Sequence, residues 1–307
     1  MIHSIKDFNN VFFIGIAGTG MSAIAQWLAG EGKQVSGSDR YFKPNEYNET
    51  KEILKEAGIQ CFLQDGSGIS GTTDLIVVST AIEDTVFEVQ KAVQLNIPII
   101  KRSELLALIA KSKSTIAVGG TSGKSTTTAM LFNILEYAGL EPGIISGAGL
   151  ISIIKEGKIG NAKTGKGKWL VIEADESDGS IVQYEPEIGL LLNIDKDHKE
   201  IDVLMDIFTT FKKNTRALFV VNQSHVLAKQ LSQNIQHDFS TDEHSGAGFI
   251  ATDFKQSGLT ISFKINSVAF ELNQVGKHNM ENALAAATVA SQLGVDLTIC
   301  AEALKQY

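Results

Sequence analysis

The chain has 307 residues, 43% of them apolar and 20% charged, with 4 prolines, which is enough for two compact domains with cores of their own. Its formal charge of -8 is scattered along the sequence, so no basic stripe is available to neutralise a phosphodiester backbone, and nucleic acid is excluded as a partner. Residues 1–10 lack the basic flank and apolar stretch of a secretory signal, and no later apolar run reaches membrane-spanning length. The expectation is a cytoplasmic protein with no membrane partner. Cys61 and Cys300 stand alone, without Cys or His at metal-ligand spacing, which reads as two small buried apolar groups and argues against a disulfide framework or a zinc site.

Short apolar runs rich in Val and Ile alternate with longer segments of helical period, the α/β pattern of parallel strands covered by helices. A first series opens with a strand at 11–16 and a helix whose apolar face is Met21, Ile24, Ala25 and Leu28, closed by Gly30 and Gly32. Strands follow around Val35, around Cys61, at 75–78 and at 97–100. A helix from about Ser103 ends in a polar stretch at 111–114, read as the domain junction. The second series has a strand at 115–118, a helix at 124–138 and strands at 169–173 and 188–194. Runs at 249–254, 259–265 and 268–272 alternate as an antiparallel meander, and an Ala-rich helix starting near Asn279 is the last patterned element.

Between the first strand and its helix lies Gly15-Ile16-Ala17-Gly18-Thr19-Gly20, and Asp39 follows the second strand at the distance of a ribose-binding acid. The glycines fall as G-x-x-G-x-G, a weaker dinucleotide pattern than G-x-G-x-x-G, and no His with an acidic orienter suits hydride transfer. A diphosphate fits this turn as well as NAD does.

Gly119-Gly120-Thr121-Ser122-Gly123-Lys124-Ser125-Thr126 also joins a strand to a helix. Backbone N–H groups and the helix dipole converge there on an anion, a lysine can pair with outer phosphates, and a serine hydroxyl can ligate Mg²⁺. Val118 stands where the strict G-x-x-x-x-G-K-[ST] pattern has glycine, so the loop is a variant of that form. Glu173-Ala174-Asp175-Glu176-Ser177-Asp178 crowds four carboxylates after an apolar strand, an arrangement that calls for a divalent cation or, failing that, for solvent around a surface loop. Residues 195–198, ending in His198, occupy the equivalent rim of the next strand. Histidine is a soft partner for magnesium, which prefers oxygen.

These residues resemble the Mur ligase family, most nearly its alanine-adding branch, over the whole chain. The loop from Gly120 to Thr126 is similar to the family's G-T-x-G-K-[ST]-T element, with Ser122 where those enzymes usually carry histidine. Residues 173–178 match E-A-D-E-S-D, and Asn193-Ile194-Asp195-Lys196-Asp197-His198 resembles N-I-x-x-[DE]-H. Gly276-Lys277-His278-Asn279 with Asn282 looks like G-x-H-N-x-x-N.

The resemblance implies a Rossmann-like UDP-sugar-binding domain over residues 1–110 and a central P-loop ATPase domain over 111–307. The family's third, C-terminal domain has no counterpart in these residues, so these two domains by themselves are expected to bind ATP weakly and ligate little. It implies ATP contacts from Gly120, Thr121, Ser122, Gly123, Lys124, Ser125, Thr126, Asn193, His278, Asn279 and Asn282, and magnesium at Ser125, Glu173 and His198. Lys124, Glu173 and His198 become the catalytic candidates. UDP-sugar contacts are implied at Gly15, Ala17, Gly18, Thr19, Gly20, Ser22, Ser38, Asp39, Ser79, Thr80, Ala81, Arg102, Asn161, Glu176 and Ser177. For Arg102 a plain surface position is an open alternative.

The implied reaction joins L-alanine to UDP-N-acetylmuramate through an acyl phosphate made with ATP and Mg²⁺, for peptidoglycan synthesis, and a homodimer is compatible with it. A murein-peptide recycling ligase and a non-enzymatic nucleotide sensor carry the same motifs, because the pocket for the incoming amine lies outside this sequence. His198-Lys199-Glu200-Ile201 departs from the family's usual H-x-D-x-Y, which leaves the substrate less determined than the chemistry.

Overall fold

The computed structural model describes residues 2–307 other than 84, 178, 197 and 198. The chain runs β1 (Asn10–Ile14), α1 (Thr19–Gly30), β2 (Gln34–Asp39), α2 (Glu49–Glu56), β3 (Gln60–Leu63), β4 (Leu75–Val78), α3 (Phe87–Gln94), β5 (Ile99–Lys101) and α4 (Arg102–Ser112). It continues through β6 (Ser114–Gly119), α5 (Lys124–Tyr137), β7 (Gly143–Ile145), α6 (Ile151–Ile154), β8 (Ala162–Lys163), β9 (Trp169–Ala174), β10 (Ile188–Leu191), α7 (Ile201–Asn214) and β11 (Leu218–Val221). It closes with β12 (Phe239–Ser240), β13 (Phe249–Ser257), β14 (Thr260–Ile265), β15 (Val268–Leu272), α8 (Lys277–Gln292) and α9 (Leu297–Lys305). Among the described residues, no helix is long and apolar enough to cross a membrane.

Contacts divide the chain into two units, one of Met1–Ser112 with Ile144–Thr164, the other of Lys113–Gly143 with Gly165–Tyr307. The sequence reading places a single boundary after residue 110; in the structure residues 144–164 join the first unit as well. The reason lies on α1. A Cβ added to Gly30 would stand 2.0 Å from Thr164 Oγ1, so the absence of a side chain is what lets the later segment lie against the helix. There the Thr164 hydroxyl donates to Trp27 O at 3.2 Å.

The first unit holds a parallel sheet of order β3-β2-β1-β4-β5. Its centre, β1, is apolar without alternation because both faces are covered, and Phe12, Phe13 and Ile14 are wholly buried. Strand order reverses at β1, with β2 on one side and β4 on the other. The crevice outside their carboxyl ends is therefore a switch point, where open α/β sheets bind ligands. The expected helix face of Met21, Ile24, Ala25 and Leu28 is buried, together with Ala23 and Trp27.

In the second unit β11-β10-β6-β9 are parallel neighbours. The expected meander forms from β13, β14 and β15, which pair antiparallel, while β12 joins β13 in parallel. Met130, Leu131, Ile134 and Leu135 of α5 share a core with Ala283, Ala286, Ala287 and Ala290 of α8. The alanines keep α8 narrow on that side. Below it α9, an element the sequence reading passes over, starts at an Asp296 cap whose Oδ1 accepts from Thr298 N at 2.8 Å and buries Cys300, Ala303 and Leu304. Burial pushes the Cys300 thiol up to about 12 and the Cys61 thiol up to about 11, so neither is a nucleophile at neutral pH.

Candidate active site

The second unit gathers its polar groups at the carboxyl ends of β6, β9 and β10. β6 ends in the loop 120–126, and Gly123 enters α5 with φ +84°, a left-handed conformation that glycine adopts without strain. A Cβ there would also meet Asn282 Oδ1 at 2.6 Å. The start of α8 thus reaches the loop, and the contact is reinforced by the Thr127 hydroxyl donating to Asn282 Oδ1 at 3.2 Å. Asn282 donates in turn to Asn279 Oδ1 at 3.4 Å. His278, one residue before Asn279, is exposed.

Two side chains of the loop face carboxylates from the end of β9. The Ser125 hydroxyl donates to Glu173 Oε2 at 2.9 Å. This places two oxygen donors together, a set that suits the hard Mg²⁺ ion. Lys124 Nζ donates to Gly120 O at 2.8 Å and to Glu176 Oε2 at 2.9 Å, with Asp175 Oδ1 at 4.0 Å. The side chains of this pair are only 15% and 5% exposed, so solvent screens their attraction weakly. Glu176, which the resemblance assigns to the sugar nucleotide, is therefore held by the lysine. Ser177 is tied through its backbone, its N–H to Asp175 Oδ1 at 3.0 Å and its carbonyl to Lys199 Nζ at 2.8 Å. Asp178 and His198, the latter a candidate for magnesium, lie outside the described residues.

From the end of β10, Asn193 braces the loop. Its Oδ1 accepts from the Thr121 hydroxyl at 2.9 Å and from Ser122 N at 2.8 Å, and its Nδ2 donates to Ser122 O at 3.1 Å. Asn193 thus shapes the loop that the resemblance has it share as an ATP contact. One further residue enters here that the sequence reading does not mark: His225, after β11, has Nε2 3.2 Å from Asp195 Oδ1. A lone histidine in Asn222-Gln223-Ser224-His225 carries no local signal, and only the parallel neighbours β10 and β11 bring it to the loop.

In the first unit, the turn after β1 is built by residues that the resemblance lists as ligand contacts. Ser38 O accepts from Gly15 N at 2.8 Å and from Ile16 N at 2.9 Å. Asp39, 4% exposed, accepts from Ala17 N at 2.9 Å and Tyr41 N at 3.0 Å. Ser38 is fully buried and donates its hydroxyl to Glu88 Oε2 at 2.9 Å, and burial pushes the Glu88 carboxyl above its usual range. Asn161 is also fully buried, donating to Thr19 O at 2.7 Å and Ser22 Oγ at 3.0 Å and accepting from Gln26 Nε2 at 2.8 Å. Its amide is fully engaged within the protein, and Ser22 is buried beside it.

Ser38, Asp39, Ser22 and Asn161 accordingly shape the turn and the first turns of α1 from beneath. Gly15, Gly18, Thr19 and Gly20 form the rim of the turn itself. Beside it stands Arg102, whose Nη1 would lie 3.0 Å from a Cβ on Gly20, which brings a cation to the N-terminus of α1. Ser79, Thr80 and Ala81 follow β4 on the other side of the switch point, Thr80 and Ala81 exposed.

The two regions match two descriptions of known families: residues 10–114 the Mur ligase family, catalytic domain, and residues 118–290 the Mur ligase middle domain. Among curated relatives, UDP-N-acetylmuramate--L-alanine ligase of Syntrophomonas wolfei subsp. wolfei is 35% identical over 97% of this chain and 65% of its own length. The enzyme of that name from Geotalea uraniireducens is 37% identical over 93% of this chain and 63% of its own. The chain thus spans about 65% of the first of these relatives. Among solved structures, the UDP-N-acetylmuramate-alanine ligase of Thermotoga maritima superposes with a TM-score of 0.83 at 26% identity, over 97% of this chain and 68% of that one. A UDP-N-acetylmuramate:L-alanyl-gamma-D-glutamyl-meso-diaminopimelate ligase from Neisseria meningitides does so with a TM-score of 0.80 at 25% identity, over 98% of both chains. With a matched middle domain that covers most of the second unit and its phosphate loop in place, the chain belongs to the Mur ligase family.

Proposed function

We propose that this chain supplies the sugar-nucleotide and ATP-binding parts of an ATP-dependent ligase that joins L-alanine to UDP-N-acetylmuramate. The observation that carries the reading is the phosphate-loop lysine at the start of α5 with the Ser125–Glu173 pair beside it. The alanine ligases among its relatives support the choice of substrates. ATP lies with its phosphates over the loop 120–126, and Lys124 and the N-terminus of α5 neutralise the outer phosphates. Magnesium, held by Ser125 and Glu173 with His198 as a further candidate, supplies charge neutralisation at the phosphates.

The lactyl carboxylate attacks the γ-phosphorus in line, forming an acyl phosphate as ADP leaves. The alanine amine then attacks the acyl carbon, the amide bond forms, phosphate departs and the amine gives up a proton. Both steps bring anions together, so the contribution of the loop is to position and neutralise. In the first unit the glycine turn and Arg102 receive the UDP diphosphate, with Ser38, Asp39 and Asn161 holding that turn in shape.

The test is ADP release by the full-length protein with UDP-N-acetylmuramate and L-alanine both present. Lys124→Ala should reduce it by about 10²-fold or more, the scale of one preorganised donor lost, with an unchanged far-UV spectrum. Normal ADP formation by that variant would remove the assignment. A second reading, ligation of a preformed peptide to the same sugar nucleotide, is favoured by the match to the Neisseria structure over 98% of both chains. Offering the tripeptide in place of alanine separates the two. In the first unit, a shift of the melting temperature by NAD and not by UDP-sugar would turn the reading toward a dinucleotide.

A further inference from the structure

The geometry points to His225 as a positioning residue for the nucleotide loop, acting through Asp195. This rests on the reading that residues 120–126 grip a triphosphate. Ala228 N donates to His225 Nδ1 at 3.3 Å. With that nitrogen accepting, a neutral ring carries its proton on Nε2, which faces Asp195 Oδ1 at 3.2 Å and donates to it. Asp195 N in turn donates to Thr121 Oγ1 at 3.0 Å, and the Thr121 hydroxyl donates to Asn193 Oδ1 at 2.9 Å. Every donor in the series meets an acceptor, so the orientation of each group fixes the next.

The series crosses three neighbouring strand ends, from the turn after β11, over the segment after β10, to the loop after β6. The turn is itself closed, His225 N donating to Asn222 O at 3.3 Å and Asn222 N to Leu191 O at 3.1 Å. The ring is 20% exposed while the Asp195 side chain is 63% exposed. The half-buried imidazole is therefore the anchored member and the aspartate the one that it restrains. Removing the ring frees Asp195 to turn into water, loosens the segment whose N–H holds Thr121, and lets the front of the loop sample conformations that bind phosphate less well.

The experiment titrates the full-length protein and its variants with Mg–ATP by calorimetry, and follows melting without nucleotide. His225→Ala should weaken ATP binding about three- to tenfold, the scale of one charge-assisted hydrogen bond partly in water, while UDP-N-acetylmuramate binding stays as in the wild type. His225→Gln, whose amide can still donate to Asp195, should recover most of the affinity. Asp195→Ala should match His225→Ala, and the double variant should be no worse than either, because both remove one link. Additive losses, or a lower melting temperature with unchanged ATP affinity, would overturn the inference. If wild-type binding is abolished by Lys124→Ala yet untouched by His225→Ala, only the role of His225 falls. If the wild type takes up no ATP, the triphosphate reading and this role fall together.

Discussion

At the scale of single residues, Lys124 is the most informative side chain, because it is already occupied. Its ammonium already donates to Glu176 Oε2 and Gly120 O, so two of its three N–H groups are engaged and an incoming phosphate shares the lysine with a nearly buried carboxylate that competes for its charge. Glu176→Gln keeps the shape and removes the charge. It should tighten nucleotide binding by about tenfold, or about 1.4 kcal/mol, in a calorimetric titration; equal or weaker binding would show that the carboxylate does not compete. The lysine and serine were readable from the loop alone, since the chemistry of a phosphate site demands them in that order. That Glu176 belongs to the lysine was not readable, because residues 124 and 176 meet only once β6 and β9 lie side by side.

At the scale of elements, α1 serves two segments far apart in sequence. Its first turn carries the glycine rim, and its last turn receives Thr164 against Gly30. Gly30→Ala places a methyl inside that contact. It should destabilise the first unit by about 1–3 kcal/mol, as overpacking does, read as a lower urea midpoint, and Thr164→Ala in the same chain should restore part of the loss. A variant as stable as the wild type would mean that residues 144–164 are not seated there. The periodic face of α1 was legible in the sequence. The short helices α2 and α3 were not, each being eight residues long with few buried positions, too short for a 3.6-residue period to stand out.

At the scale of the whole molecule, stability should depend on pH through carboxyls buried in each unit. Burial raises both Glu88 and Asp238, the latter accepting from Val221 N at 2.9 Å, from Gln223 Nε2 at 2.7 Å and from the Ser232 hydroxyl. A carboxyl raised in the folded state holds its proton after the unfolded chain has lost it. The folded state then binds more protons, and stability falls as pH rises from the ordinary carboxylate range through the raised value. Glu88→Gln removes that contribution from the first unit. Its melting temperature relative to wild type should be higher at pH 7 than at pH 4.5, and a difference independent of pH would show that Glu88 ionises normally.

The α/β class, the strand-turn-helix setting of both glycine-rich turns and the residue types that a phosphate-and-metal site calls for are legible in the sequence alone. These follow from local periodicity and from chemistry that needs particular groups at particular spacings. Long-range packing, by contrast, is what engages Asp39 and Asn161 in holding a turn, seats residues 144–164 on α1, and joins His225 to Asp195 across β11 and β10. Which side chain ends beside which is set by strand order and helix packing, long-range choices that no window of neighbouring residues encodes.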